Sequence, residues 1–287
     1  MDGDGAHLYL REVGDGPPVV IVHGGPDFDH EYLAPELDRW AASLHLVYYD
    51  QRGRGRSFVP DTPVEVSMAS EVEDLDRVRS WAGFESVAVL GHSWGALLAM
   101  AYAVAHPERV SHLVLMNTAP ASVAGVTELR AEFARRRSAK EAARMAELRS
   151  SAAFAAGDIA TEAEYYRLHY GITLRDPDLL GIVVGRLRRA FTPESVLAAR
   201  AIEGQLYDDT WARPDYDLLP ALAHVDVPTL VIHGDDDFVP LAVVRPIVDA
   251  LPRARLVIVP DSGHFSYLEQ PDRVTTEITS FLTSSGS

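Results

Sequence analysis

Residues 87–95 read Val-Ala-Val-Leu-Gly-His-Ser-Trp-Gly, and an alanine- and leucine-rich segment, 96–105, follows them. Four apolar residues in a row, without alternation, are typical of a strand buried on both faces of a parallel sheet. The following segment has the composition of a helix and stops before Pro107. Glycines at 91 and 95 let the chain reverse sharply, since side chains there would collide with the strand or the helix. The stretch predicts a strand–turn–helix unit with Ser93 at the turn.

Similar apolar runs recur on both sides of this unit, with amphipathic segments between them. One such segment, about residues 70 to 82, places its apolar residues near one face of a helix. Strand–helix alternation of this kind predicts an α/β fold with a right-handed, doubly wound, mostly parallel sheet. Residues 7–13 alternate apolar and polar positions, which indicates an antiparallel edge strand. The other runs are 19–22, 46–49, 113–116, 229–232 and 256–259.

The alternation stops between about residues 121 and 219 and resumes at Val227-Pro228. The interrupted stretch is far longer than an ordinary loop and carries helical patterns, for example over 128–149. We therefore predict a helical cap domain at 121–220, inserted into a core domain made of 1–120 and 221–287. The run Arg135-Arg136-Arg137 within the cap is predicted to be a solvated helix face, with a binding role as the alternative.

Composition excludes several classes of protein. The 287 residues carry no cysteine, which rules out thiol nucleophiles, disulfides and zinc–thiolate sites. The net charge is −16, from 42 acidic and 26 basic residues, the opposite of what a nucleic-acid binder needs.

No His-Glu-x-x-His spacing occurs, so we expect neither metal nor cofactor. No apolar run approaches the ~20 residues of a membrane span, and no signal peptide is evident, so we expect a cytoplasmic protein without membrane partners.

Ser93 is the candidate nucleophile. The predicted turn would project its hydroxyl above the carboxyl edge of the sheet, where the N-terminus of the next helix adds backbone N–H groups. The alternative, an incidental serine in a glycine-rich turn, is disfavoured because the strand and the helix stand where a nucleophile elbow requires them.

A nucleophilic serine needs a general base, and His264 is the strongest candidate for that base among the eleven histidines. It follows the last predicted strand, so its loop lies at the same carboxyl edge of the sheet. The base in turn needs a carboxylate, and Asp235, Asp236 and Asp237 all follow the preceding strand. Spacing alone does not separate these three acids.

The segment His23-Gly24-Gly25-Pro26 follows the first long apolar run. Its glycines would let the backbone approach a negatively charged oxygen. The N–H groups of Gly25 and Trp94 are the natural pair of donors for an oxyanion hole.

These motifs resemble those of the α/β-hydrolase superfamily, over residues 19–117 and 227–283. The histidine–glycine segment at 23–26, Asp-Gln-Arg-Gly at 50–53 and the elbow together resemble the proline iminopeptidases and related aminopeptidases. The resemblance implies Asp237 as the acid of the triad. It also nominates Glu203, in an Ile-Glu segment, as a carboxylate that grips the substrate's free α-amine. Two departures are Asp27, where the family usually has glycine, and the lack of a recognisable second cap glutamate.

The resulting prediction is a serine hydrolase with a Ser93–His264–Asp237 triad, acting on a small-molecule or short-peptide substrate. The resemblance favours an aminopeptidase of proline iminopeptidase type that releases an N-terminal amino acid. The alternatives are an esterase, lactonase or carbon–carbon bond hydrolase on the same scaffold, and a non-catalytic ligand-binding homologue. Oligomeric state is left open.

Overall fold

A computed structural model describes residues 2–3, 6–62, 64–187, 189 and 191–284. A central sheet of seven strands has the order β3-β5-β4-β6-β7-β8-β9, and a separate two-stranded ribbon pairs β1 with β2. In the central sheet β3 runs antiparallel to β5, whereas the other neighbouring pairs are parallel. The strands are β1 Asp2–Gly3, β2 Ala6–His7, β3 Tyr9–Val13, β4 Pro18–Val22, β5 His45–Asp50, β6 Val87–His92, β7 Val110–Met116, β8 Thr229–Gly234 and β9 Ala254–Val259.

Helices connect these strands and cover both faces of the sheet. The α-helices are α1 Ala34–Leu37, α2 Met68–Trp81, α3 Trp94–Ala105, α4 Val123–Arg136, α5 Ala139–Ser150, α6 Ala152–Ala155, α7 Ile159–Tyr170, α8 Leu180–Leu187, α9 Pro193–Asp209, α10 Leu219–Leu222, α11 Leu241–Ala250, α12 Ser266–Glu269 and α13 Pro271–Thr283. Short 3-10 turns lie at His30–Tyr32, Asp38–Ala42, Gly55–Ser57, Pro107–Arg109 and Pro177–Leu179.

The predicted α/β-hydrolase fold is confirmed. All six apolar runs lie in parallel strands of the central sheet, and the predicted edge strand corresponds to β3 at its antiparallel margin. Burial explains why continuous apolar runs were the right signal. In β4, Val20 and Val22 belong to the core on one face, and Val19 and Ile21 to the core on the other. Both faces of such a strand are dry, so neither tolerates polar side chains.

The chain between β7 and β8 is helical, and it contains α4 to α10. One of its helices, α10, crosses the predicted boundary at residue 220; the cap boundaries themselves stay a prediction. The helical pattern over 128–149 belongs to two helices, α4 and α5, which meet at Arg137 and Ser138. The break has a local cause, because Ser138 and Glu141 form a capping box that starts α5. Among the described residues, no helix has both the length and the apolar character needed to cross a bilayer.

A buried ion pair fixes the segment after β5 to helix α2. Both amino groups of the Arg54 guanidinium donate to the Glu71 carboxylate, at 3.0 and 2.8 Å, and both side chains are almost fully buried. Burial raises the pKa of Glu71, while the charge of Arg54 opposes that rise. Such a pair adds little net stability compared with apolar residues, but losing one partner strands a charge in the core.

We predict that Arg54→Met destabilises the protein by about 3–5 kcal/mol, because Glu71 is left buried without its cation. The measurement is the free energy of unfolding in urea. The matched control is Arg39→Met, since Arg39 pairs with Asp272 in an exposed bridge at 3.1 Å, and we expect a change within about 0.5 kcal/mol there. Equal losses in both variants would show that the buried pair has no special structural role.

Candidate active site

Ser93 lies between β6 and α3, at the carboxyl edge of the sheet. Its backbone has φ 57° and ψ −121°, a conformation that non-glycine residues rarely adopt and that clusters at functional sites. The flanking glycines make the turn possible. A Cβ at Gly91 would overlap the backbone of Gly95, and a Cβ at Gly95 would overlap the carbonyl of Val22 in β4. The predicted strand–turn–helix unit is therefore present, with the serine at its tip.

His264 bridges Ser93 and Asp237. Its Nε2 lies 2.9 Å from Ser93 Oγ, and its Nδ1 lies 3.0 and 3.1 Å from the two carboxylate oxygens of Asp237. The backbone N–H of His264 donates to the carbonyl of Thr173, which belongs to the chain between β7 and β8. With Nδ1–H donating to the carboxylate, Nε2 is free to accept the serine proton. The structure thus brings together the three predicted residues in the order that proton transfer requires.

The Asp237 carboxylate is fully buried and well supplied with donors. Asn117 Nδ2 donates to Oδ2 at 2.9 Å, and the backbone N–H of Val239 donates to Oδ1 at 2.9 Å. Burial by itself raises the pKa of Asp237, but the imidazoles of His264 and His233 and the hydrogen bond from the Val239 amide outweigh it and hold the pKa below its ordinary value. The group therefore stays ionised beside His264 at neutral pH.

The two acids next to Asp237 face other partners. Asp235 is exposed and accepts a hydrogen bond from the backbone of Ser262. Asp236 pairs with Arg136 at 3.2 Å. The same Arg136 guanidinium donates to the backbone carbonyl oxygens of Asp236 and Asp237, at 2.8 and 2.9 Å. Through Arg136, helix α4 therefore holds the loop of Asp235, Asp236 and Asp237, which we call the acid loop. Nothing in the local sequence indicated this role.

His92, the variable residue of the elbow, supports the His264 loop. Its Nε2–H donates to the carbonyl of His264 at 2.9 Å, and its Nδ1 accepts from the Tyr32 hydroxyl at 2.7 Å. The Tyr32 oxygen in turn accepts from the backbone N–H of Gly24 at 2.9 Å. Burial and the nearby His264 lower the pKa of His92 to about 3, so this chain of hydrogen bonds contains a neutral imidazole.

The Asp-Gln-Arg-Gly segment braces the loop that carries Gly25. The backbone N–H of Gln51 donates to His23 Nε2 at 3.1 Å, and the Gln51 amide donates to the His23 carbonyl at 2.7 Å. Burial and the charge of Arg54 lower the pKa of His23 to about 3, which matches a neutral ring that accepts through Nε2. The motif recognised in the sequence is thus a support for the glycine loop.

Gly25 and Trp94, the predicted oxyanion donors, line one small cavity together with Ser93 and His264. We call this cavity of about 80 Å³ the serine pocket. Trp94 is the first residue of α3, so its N–H belongs to the N-terminal end of that helix. The rest of the wall is mainly apolar and aromatic, and it includes Leu129, Phe133, Trp211 and Phe238.

Glu203 lines a larger cavity of about 470 Å³, which we call the acidic cavity. This cavity and the serine pocket share the lining residues Gly25, His169, Tyr170 and Tyr207, so the two are neighbours.

Three carboxylates, those of Asp27, Glu162 and Glu203, and two guanidinium groups line the acidic cavity. Glu162 is buried against Arg200, with which it forms an ion pair. Burial and the negative charges of Glu203 and Asp27 raise the pKa of Tyr207, which lines the same cavity as both acids. The acid that replaces the family's glycine at position 27 thus lies in the same cavity as Glu203.

Two features of the site carried no signal in the sequence. Asn117 directly follows β7 with φ 48° and links Asp237 to the carbonyl of Gly263, which makes it a positioning residue for the acid. His169, on α7, lines both cavities described above, although no motif in the sequence singles it out. Among the described residues, no group of three or more His, Asp or Glu side chains is arranged to hold a metal ion.

A half-buried elbow serine, in hydrogen-bond reach of a histidine at the carboxyl edge of a parallel sheet, is the arrangement of serine hydrolases. Comparison with known proteins agrees with this class. A model of the alpha/beta hydrolase fold matches residues 17–271. The chain belongs to the α/β-hydrolase fold family, and it is a hydrolase, of serine type by family.

Individual relatives confirm the predicted resemblance to proline iminopeptidases. A proline iminopeptidase of Lactiplantibacillus plantarum is 28% identical over 291 residues, covering 98% of this chain and 99% of that protein. One from Levilactobacillus brevis is 29% identical over 295 residues, covering 96% and 92%.

Solved structures with the same fold carry more than one activity. The proline iminopeptidase of Mycobacterium smegmatis superposes with a TM-score of 0.71 at 24% identity, covering 97% of this chain and 95% of that one. Est816, an N-acyl homoserine lactone degrading enzyme, gives 0.71 at 21% identity, with 98% of both chains covered. These likenesses establish the shared fold and leave the substrate to the chemistry of the cavities.

We predict that Asp237→Asn lowers kcat by several orders of magnitude, while Asp235→Asn lowers it less than threefold. An amide at 237 allows the wrong tautomer of His264 and removes the charge that supports its imidazolium form. Steady-state kinetics with any ester that the wild-type enzyme hydrolyses would measure kcat for both variants. Asp235 is the matched control, since it lies in the same loop and has the same charge. Comparable losses in the two variants would refute the assignment of the acid.

Proposed function

We propose that this chain is a serine aminopeptidase of proline iminopeptidase type, which releases an N-terminal amino acid from a short peptide, amide or ester. The observation that carries the catalytic part is the contact of His264 Nε2 with Ser93 Oγ, with the opposite ring nitrogen held by Asp237. The substrate part is supported by the acidic cavity beside the serine pocket and by the named relatives.

In the proposed mechanism, Ser93 Oγ attacks the scissile carbonyl while His264 Nε2 takes its proton. Asp237 accepts the hydrogen bond from Nδ1–H and stabilises the imidazolium form. The N–H groups of Gly25 and Trp94 stabilise the oxyanion. His264 then gives its proton to the leaving amine, and water, activated by the same imidazole, releases the amino acid and restores the serine.

The acidic cavity suits a cationic amine next to the reacting carbonyl. Its three carboxylates exceed its two guanidinium groups by one, so one ammonium group would balance the charge. A free α-amine has a pKa of about 8 and is therefore mostly cationic at neutral pH. Glu203 is the acid best suited to receive it, because it is half-buried on α9 and a carboxylate forms a charge-assisted hydrogen bond with an ammonium group. The rings of Tyr165, Tyr166 and Tyr170 supply flat apolar walls for a pyrrolidine ring.

We predict that Glu203→Ala lowers kcat/KM for a proline arylamide by two or more orders of magnitude. Removing the acceptor leaves the ammonium buried and unpaired, at a cost of about 3–5 kcal/mol in a closed site. Glu203→Gln should fall between wild type and Glu203→Ala, since the amide oxygen keeps one hydrogen bond. Hydrolysis of a plain butyrate ester, which has no amine, should hardly change.

The control variant is Asp208→Ala, which removes an exposed acid from the same helix and should leave both substrates unaffected. Parallel losses on the arylamide and the ester, or no loss on either, would remove Glu203 from the amine site. Efficient turnover of the ester together with none of the arylamide would instead favour the esterase-like alternative on the same triad.

A further inference from the structure

The three consecutive arginines at the end of α4 have different surroundings. The prediction of a solvated helix face holds for Arg135, which is 68% exposed and pairs with Glu132. It is wrong for the other two. Arg136 holds the acid loop, as described above, and Arg137 follows the end of the helix with its guanidinium over the ring of Phe133, at 5.3 Å from the ring centroid.

Arg137 lines a third cavity, of about 340 Å³, which we call the arginine cavity. Arg130 and Arg149 line it as well, and its other walls are apolar or aromatic apart from His169. No carboxylate is among the described residues of its lining. Such a lining stands out in a chain with 42 acidic and 26 basic residues. A cavity with three cationic groups and an apolar floor favours an anion attached to an apolar or small body.

The arginines of the arginine cavity are not paired with carboxylates among the described residues, although Arg149 also lines the acidic cavity and is counted with its guanidinium groups. Within the part of the chain that is described, none of the three arginines forms an ion pair, and no acceptor contacts Nε or Nη2 of Arg137. Burial lowers the pKa of Arg137, and the negative charge of Glu141 opposes that shift. The Glu141 carboxylate itself accepts hydrogen bonds from Ser138 and caps α5. By contrast, Arg144 on the same helix is paired with Glu164 at 2.7 Å.

The arginine cavity lies close to the reacting groups. The ring of Phe133, under Arg137, is 4.7 Å from that of Phe238, which is 4.5 Å from the His264 imidazole. Phe133 and His169 line the serine pocket as well as the arginine cavity. His169 also lines the acidic cavity, so it stands where all three cavities meet. Burial and the charge of Arg137 lower the pKa of His169 to about 4, so this residue adds no further positive charge at neutral pH.

We propose that the arginine cavity binds a carboxylate on the leaving group, with Arg137 as the principal contact, so that the preferred substrates are short peptides with both termini free. The peptide part rests on the proposed function: the amine enters the acidic cavity, the scissile carbonyl lies at Ser93, and the leaving group extends toward the arginines. The acidic cavity has one carboxylate more than it has guanidinium groups, and the arginine cavity has no carboxylate in its described lining. Because both share lining residues with the serine pocket, a dipeptide zwitterion is matched at both ends.

The test compares proline-glycine with proline-glycine amide, which differ only in the terminal carboxylate. For the wild-type enzyme, kcat/KM should be about 10- to 100-fold higher for the free dipeptide, the range expected of a charge-assisted contact. Arg137→Gln should remove most of that preference while leaving turnover of the amide and of a proline arylamide within about threefold. The ratio of the two substrates within one protein is insensitive to partial misfolding. Arg135→Gln, two residues away and exposed, is the matched control and should keep the preference.

A second pair of substrates separates this proposal from the requirement for an amine. The acetate ester of 4-hydroxybenzoate carries a carboxylate on its leaving group, and the acetate ester of methyl 4-hydroxybenzoate does not. If prolyl substrates are not hydrolysed, the proposed peptidase function fails, and the ester ratio, wild type against Arg137→Gln, alone decides the carboxylate site. Lack of a carboxylate preference in the wild-type enzyme on every pair that is turned over, or a preference that survives Arg137→Gln, would overturn the proposal.

Discussion

The buried hydrogen bond between Asp237 and His264 is the interaction on which the site depends. It joins the loop after β8 to the loop after β9, and it fixes the imidazole so that Nε2 faces Ser93 at 2.9 Å. A buried carboxylate is costly unless it is fully satisfied, and here Asn117 and the Val239 amide complete its hydrogen bonds. These polar groups therefore hold the charged Asp237 carboxylate in place beside His264.

Local patterns predicted the strands and the nucleophile, because both are decided by short-range constraints. A strand buried on two faces has to be apolar throughout, and the turn at Ser93 has to have glycines where backbones touch. Asp237 could not be separated from Asp235 by spacing, since the two differ only in where their side chains point after folding. The family resemblance supplied that choice, and the contact with His264 agrees with it.

The supporting residues could not be predicted because their partners are distant in sequence. Arg136 contacts the acid loop 100 residues further along the chain. Arg135 and Arg137 are its neighbours in sequence, but α4 ends at Arg136, so the three side chains have different surroundings. A run of three arginines on a helix is usually solvated, so the pattern favoured the wrong interpretation for two of them. The same non-local folding places an excess of carboxylates in one cavity and three arginines in another, both bordering the serine pocket. The overall composition, with a net charge of −16, does not reveal this arrangement.

The central claim, that Ser93 is the nucleophile activated by His264, is tested most directly by covalent labelling. Wild-type protein would be treated with a fluorophosphonate, and the modified residue identified by mass spectrometry of peptides. The account predicts one label per chain on Ser93, with hydrolytic activity falling in proportion to the fraction of labelled protein. The reason is that an activated serine reacts with a fluorophosphonate far faster than an ordinary serine does. A fully labelled Ser93 with activity retained, or an active enzyme in which Ser93 stays unmodified, would contradict it.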